Sequence, residues 1–299
     1  MKKSFLFVLL CMMASVLPAQ KKMYVWQGET PTEFEVLTVD SVTFADAEPT
    51  PVPAEPVFSV SATKQVQFST GNLQYTQSTR TWSFAAQQYE MLGEANVAND
   101  ALADKIDLFG WSCSTGTAQW GISTSTSFGY YTGDFVDWGQ NIDDGTTWRT
   151  LTKDEWTYLS ETRTNASALK GVARINLNAD GSEYANGFII LPDNWTTPNG
   201  VTFKSGFAST SGSQAYADYQ TCTLEEWSKL EKAGAVFLSA SGNRSGTRVS
   251  NIGFYGYYWS ATPSNDKDAN YFLISSTNAY MTNFVRYYGY AVRLVKDVE

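Results

Sequence analysis

Residues 255–295 read YGYYWSATPSNDKDANYFLISSTNAYMTNFVRYYGYAVRLV, and the fold of the whole chain turns on how this stretch is taken. It is dense in Tyr, Phe, Val, Ile and Thr, the side chains that suit a pleated, half-buried surface. Strand alternation assigns Phe272, Ile274, Met281, Val292 and Leu294 to an inward face and most of the tyrosines to an outward one. The consecutive residues Thr282–Val285 then fall in a loop, where alternation does not restrict exposure. From Ala269 to Arg293 there is no Lys, Glu, Gln or Trp, although these four types make up 49 of the 299 residues and a window of this length carries about four on average.

Two explanations of that gap stay open. Strands are poor in Glu and Lys in any case. The other explanation is genetic. An Asn codon with its two adenines randomised reaches Tyr, Phe, Leu, Ile, Val, Ser, Thr, Ala, Asp, Gly and Arg, and never Lys, Glu, Gln, Met or Trp. Only Met281 departs from that set, as an unvaried position would.

At these residues the chain resembles the C-terminal segment of C-type lectin-like variable proteins diversified by retroelements, and also the wider Fibrobacter succinogenes major paralogous domain family. Gly256-Tyr257-Tyr258-Trp259-Ser260 and Gly289-Tyr290-Ala291-Val292-Arg293 match the unvaried flanks, and Arg286 and Gly289 match internal anchors. The resemblance implies that the variable, ligand-contacting positions are Tyr271, Leu273, Ser275, Asn278, Tyr280, Thr282, Asn283, Phe284, Val285, Tyr287, Tyr288 and Tyr290. It implies a C-type lectin-like fold of two helices, mostly antiparallel strands and long loops, with the two ends of the domain paired as adjacent strands, here Phe58–Ser69 with Ala291–Val295.

Outward from this segment, the main domain extends back to about Val57. Two helix starts within it follow one recipe. In Leu151-Thr152-Lys153-Asp154-Glu155-Trp156, Thr152 caps and Glu155 reaches back, with Leu151 and Trp156 at the staple positions, and the helix runs to about Arg163. In Cys222-Thr223-Leu224-Glu225-Glu226-Trp227, Thr223 and Glu226 form the box and Gly234 ends the helix. The remainder reads as strands and turns, so the domain is α+β. Ala45–Pro56 holds four of the nine prolines and reads as an extended spacer. Residues 20–45 form a short leader with a β-hairpin signal at Tyr24–Trp26 and Glu33–Val36 and a third alternating run at Val39–Phe44. The leader is too small for a core, and its composition favours a loose or disordered segment over a packed one. Residues 1–19, with Lys2 and Lys3 before an apolar run, read as a signal peptide. No run is long enough to span a bilayer, so the expectation is an exported protein, secreted or held at the outer surface, with no transmembrane segment. The domain plan is 1–19 signal, 20–45 leader, 46–56 linker and 57–299 lectin-like domain.

Composition narrows the chemistry. With no histidine, the commonest general base and metal ligand is missing. The Glu-Pro-Asn, Gln-Pro-Asp and Trp-Asn-Asp motifs of calcium-dependent lectins do not occur, and neither does the C-terminal cysteine pair of the related formylglycine-generating enzymes. Neither catalytic residues, nor a cofactor, nor a metal site is expected. Asp134, Asp137, Asp143 and Asp144 form an acidic loop that stays open as a calcium or glycosidase alternative, whereas Asn178-Ala179-Asp180-Gly181 reads as a turn between strands. Cys113 and Cys222 are candidates for a disulfide in an oxidising compartment. A formal net charge of −9 makes nucleic acid a poor partner. Tyrosines interleaved with Asn and Ser have the composition of a paratope, which points to binding of a protein or glycan ligand. Three functions follow in order of expectation: a ligand-binding protein with a diversifiable surface, an adhesin or glycan-binding module of constant specificity, and a carbohydrate-active enzyme using the acidic loop.

Overall fold

The computed structural model describes residues 22–27, 30–36, 55–115 and 118–298. The signal segment 1–19, the third leader run at Val39–Phe44 and the linker up to residue 54 lie outside the described residues. The chain divides into two units, Met1–Ala54 and Glu55–Glu299. In the first, Lys22–Gln27 pairs antiparallel with Thr30–Glu35 in one register, Lys22 facing Glu35 and Gln27 facing Thr30. The hairpin signal in the leader is thus met by two paired strands, on which Tyr24, Val25 and Phe34 are exposed, as expected of a two-stranded sheet with one layer.

The second unit is α+β, with many short strands and three short α-helices: α1 (Lys153–Thr157), α2 (Ser213–Tyr219) and α3 (Leu224–Lys232). Its two ends pair. Val295 faces Phe68 and Asp297 faces Val66, in a four-stranded antiparallel sheet ordered Arg149–Thr150, Leu294–Asp297, Gln65–Phe68, Phe58–Ser59. The expected single strand Phe58–Ser69 is broken in two, because Val60 and Ser61 both donate to the Lys64 carbonyl and close a turn. A second sheet is ordered Thr221–Thr223, Lys170–Asn176, Tyr184–Ile190, Val236–Ser239, with its first pair parallel and the others antiparallel. The Asn-Ala-Asp-Gly segment lies in the loop of its central hairpin, where Asp180 accepts from the Ser182 amide.

Both capping boxes form. Thr152 Oγ1 accepts from the Glu155 amide at 3.2 Å while Glu155 Oε2 accepts from the Thr152 amide at 2.9 Å. Thr223 and Glu226 do the same at 3.2 and 2.7 Å. The staple residues are buried, Leu151 and Trp156 in one core cluster, Cys222 and Trp227 in another. After α1 the chain widens into a π-turn over Tyr158–Thr162, with the Arg163 amide donating to the Tyr158 carbonyl. The third helix, α2, carries no start signal in the sequence. Its N-cap is Gly212 at φ +139°, with no side-chain cap, and it is held by burial of Ala215 and Tyr216.

Cys113 and Cys222 are not bridged. Both thiols are buried, Cys113 among Trp111, Tyr131 and Trp138 and Cys222 against Trp227, in different core clusters. Among the described residues, no helix is long and apolar enough to cross a membrane.

Candidate functional site

The C-terminal stretch builds a three-stranded antiparallel sheet from Tyr255–Pro263, Asp268–Ser275 and Asn278–Val285. Its register sorts the side chains. Tyr258, Phe272 and Met281 lie opposite one another, as do Gly256, Ile274 and Ala279, and this face packs on the core cluster that also holds Trp156 and Phe188. Trp156 stacks on Phe272 with ring centres 4.9 Å apart and planes 4° from parallel. The other face carries the rows Tyr255–Ser275–Asn278, Tyr257–Leu273–Tyr280 and Trp259–Tyr271–Thr282, and then Ala269 beside Phe284. Seven of the twelve candidate positions, Tyr271, Leu273, Ser275, Asn278, Tyr280, Thr282 and Phe284, thus share one face. Asn283 and Val285 belong to the opposite face. Tyr287, Tyr288 and Tyr290 follow the last strand of the sheet.

Two expectations are corrected here. Thr282–Val285 is strand and not loop, paired residue by residue with Asp268–Tyr271. Asn283 and Phe284 are still exposed because this is the edge strand of the sheet. The tyrosines are not mostly outward. Tyr280 is 40 % exposed, Tyr287 and Tyr288 are half-buried, and Tyr271 and Tyr290 are buried, as is Ser275. The reason is the path of residues 286–293, which leave the third strand and pair along the free edge of Tyr255–Pro263, laying the Tyr290 ring on the outer face. Tyr290 exchanges backbone hydrogen bonds with Phe109, Gly289 with Arg244, and Ala291 sits between Tyr257 and Trp259. Tyr290 is consequently enclosed by Tyr257 (4.8 Å, nearly parallel), Trp259 (4.4 Å) and Tyr271 (4.7 Å). Burial pushes the phenols of Tyr257, Tyr271 and Tyr290 up from the ordinary tyrosine value.

The segment 286–293 is pinned by two arginines bound to carbonyl oxygens. Arg286, under the Trp111 ring at 4.3 Å, donates to the carbonyls of Gly133 and Asn265 and, at 3.4 Å, to those of Tyr131 and Asp268. Arg244 is fully buried and donates to Leu108, Ser123 and Gly246 carbonyls, and desolvation pulls its pKa down to about 10. A Cβ at Gly289 would stand 3.0 Å from both the Arg244 Cβ and the Leu108 oxygen, which is why glycine occupies this position.

Beside this aromatic layer opens a cleft of about 520 Å³. One wall is Tyr257, Tyr271, Phe284, Tyr288 and Tyr290. The other is the hairpin of Asn243–Ser245 and Arg248–Ser250, with Asn251 after it. Four of its lining residues are candidate positions. The opposite wall went unseen in the sequence, because the Asn-Arg-Ser-Gly-Thr-Arg run carries no motif and is brought in by the Arg244–Gly289 bridge. Asn251 Nδ2 donates to Asn243 Oδ1 at 2.8 Å and to the Tyr257 hydroxyl at 3.3 Å, tying the two walls together.

The acidic loop does not converge. Asp137 accepts from the Gly139 and Thr150 amides, Asp143 from the Trp148 indole, and Asp144 from the Thr146 and Thr147 amides, which hold its carboxyl down at about 2. Asp143 and Asp144 close turns and Asp137 also ties down the Arg149–Thr150 strand, and among the described residues no three His, Cys, Asp or Glu side chains gather as metal ligands. No family model matches the chain, and neither a curated protein nor a solved structure matches it.

Proposed function

We propose that this chain is an exported ligand-binding protein with a C-type lectin-like frame, whose C-terminal segment displays a diversifiable aromatic and polar surface. The observation that carries the reading is the register of the last two sheet strands: seven candidate positions share one face, and Phe272, Ile274 and Met281 on the other face hold the core. Support for the frame comes from the pairing of the domain's two ends and from two capped helices packed on the sheets. Aromatic side chains on such a surface offer large contact area at low entropic cost. No part of the reading needs catalysis, a cofactor or a metal.

A second reading, a glycan-binding or adhesive module of constant specificity, is favoured by one feature: half of the cleft wall, from Asn243 to Asn251, lies outside the diversifiable window. Two experiments separate them. Arrays of glycans and of surface proteins probed with the purified chain should yield a ligand whose binding is lost in the double variant Tyr287→Ala, Tyr288→Ala. Absence of any ligand, or binding indifferent to that variant, overturns both. Sequencing the source genome should reveal a near-identical template of codons 269–293 beside a reverse transcriptase. A genome without that cassette removes diversification and leaves the module.

A further inference from the structure

We infer that the cleft between the Asn243–Asn251 hairpin and the tyrosine wall takes an acidic saccharide, a sugar bearing a carboxylate or sulfate group, with Arg248 meeting the anion. The inference rests on the reading of the chain as a ligand-binding protein. Its first ground is charge. The chain carries 30 acidic and 21 basic residues, yet no Asp or Glu lines this cleft. The charged side chain that does line it, Arg248, is exposed and, among the described residues, makes neither a hydrogen bond nor an ion pair. A guanidinium in that condition presents a planar fork matched to a two-oxygen anion.

The second ground is the pattern of donors. Asn243 is only 7 % exposed, and its Oδ1 is taken by Asn251, so its remaining polar atom at the cleft is the Nδ2 donor. Ser245 and Ser250 add hydroxyls to the same wall. The wall thus offers the Asn243 and Arg248 donors and two hydroxyls that serve either way, against the one acceptor left on Asn251, and suits a ligand rich in acceptor oxygens. The third ground is the facing wall. Tyr257, Tyr288 and Phe284 present ring surface, against which the C–H face of a pyranose packs while its hydroxyls and anion turn to the hairpin. A cleft of about 520 Å³ lies within the usual range for small-ligand sites.

The test is titration calorimetry on the full chain with an oligogalacturonate, a sulfated galacto-oligosaccharide and the neutral galacto-oligosaccharide, at low and high salt. At least one acidic sugar should bind about tenfold or more tightly than the neutral one, with affinity falling as salt rises. Comparing the carboxylate and sulfate arms identifies the anion. Arg248→Gln should bring acidic and neutral sugars to equal affinity, and Arg248→Lys should keep part of the preference, with circular dichroism unchanged because Arg248 supports no other group. Equal binding of acidic and neutral sugars overturns the inference, as does an acidic preference that survives Arg248→Gln. So does a panel in which only acidic peptides bind. Binding of any array ligand that is lost with Tyr287 and Tyr288 but is indifferent to Arg248 leaves the broader ligand-binding reading standing.

Discussion

Tyr280 and Tyr290 stand ten residues apart in one aromatic-rich segment and meet opposite fates. Tyr280 sits on the edge strand of a regular sheet, 40 % exposed, on a face whose inner part, Trp259, Tyr271 and Ala269, packs into a second core cluster. Tyr290 lies in an irregular segment beyond the sheet, 2 % exposed, enclosed by Tyr257, Trp259 and Tyr271 and bridged through its backbone to Phe109. The difference separates two causes of aromatic density that look alike in a string of letters. On the edge strand the rings of Tyr280 and Phe284 are offered to solvent, whereas Tyr271 on the central strand and Tyr290 beyond the sheet are part of the core. Exchange of side chains should therefore cost least at the exposed edge-strand positions Tyr280, Asn283 and Phe284 and most at the buried Tyr271 and Tyr290.

The largest effect should come from emptying the Tyr290 site. Tyr290→Ala removes a buried ring contacted by several others and should destabilise the domain by about 3–5 kcal/mol. A urea midpoint close to that of the unaltered chain would break the distinction between the two positions. A smaller effect concerns the segment that brackets Tyr290. Asp107, fully buried, accepts from the Leu92 amide and from Asn96 Nδ2, and burial pushes its carboxyl up to about 6 from an ordinary 3.8. The folded chain therefore holds this proton more tightly than the unfolded chain. Its contribution to stability is complete below about pH 4 and is lost as pH rises through about 6, roughly 2–3 kcal/mol in all. Urea midpoints compared between pH 4 and pH 6.5 should show this decline in the unaltered chain and a shallower one in Asp107→Asn. Parallel pH profiles would remove Asp107 from the account. The smallest effects belong to the display strand, where Tyr280→Ala and Asn283→Ala should each change stability by no more than about 0.5 kcal/mol. A cooperative loss of structure in either would mean that the edge strand is as much a part of the core as Tyr290.

Much of this was legible in advance, and the legible parts share one property: each is settled by neighbours in the chain. The period of two placed Phe272, Ile274 and Met281 inward, and Thr152 with Glu155 and Thr223 with Glu226 marked both capped helices. The helix Ser213–Tyr219 escaped notice because its start has no capping side chain and its stability comes from what buries Tyr216. The leader's two strand-like runs were legible as a hairpin, and Lys22–Gln27 does pair with Thr30–Glu35. The acidic loop stood open in the sequence only as an alternative, because spacing along the chain does not say where carboxylates meet in space. Asp137, Asp143 and Asp144 instead each bind amide or indole donors close by in the fold.

By itself the sequence determined the alternation of the C-terminal strands, the two capped helix starts and the absence of histidine chemistry, since these follow from side-chain type and local spacing. Only the tertiary structure decided which tyrosines are sealed in and which remain open, and that Asn243, Arg248 and Asn251 face them across a cleft. Those outcomes depend on where residues 286–293 run along the sheet. That path is set by hydrogen bonds to Phe109, Arg244 and Tyr257, groups remote along the chain, which no local pattern encodes.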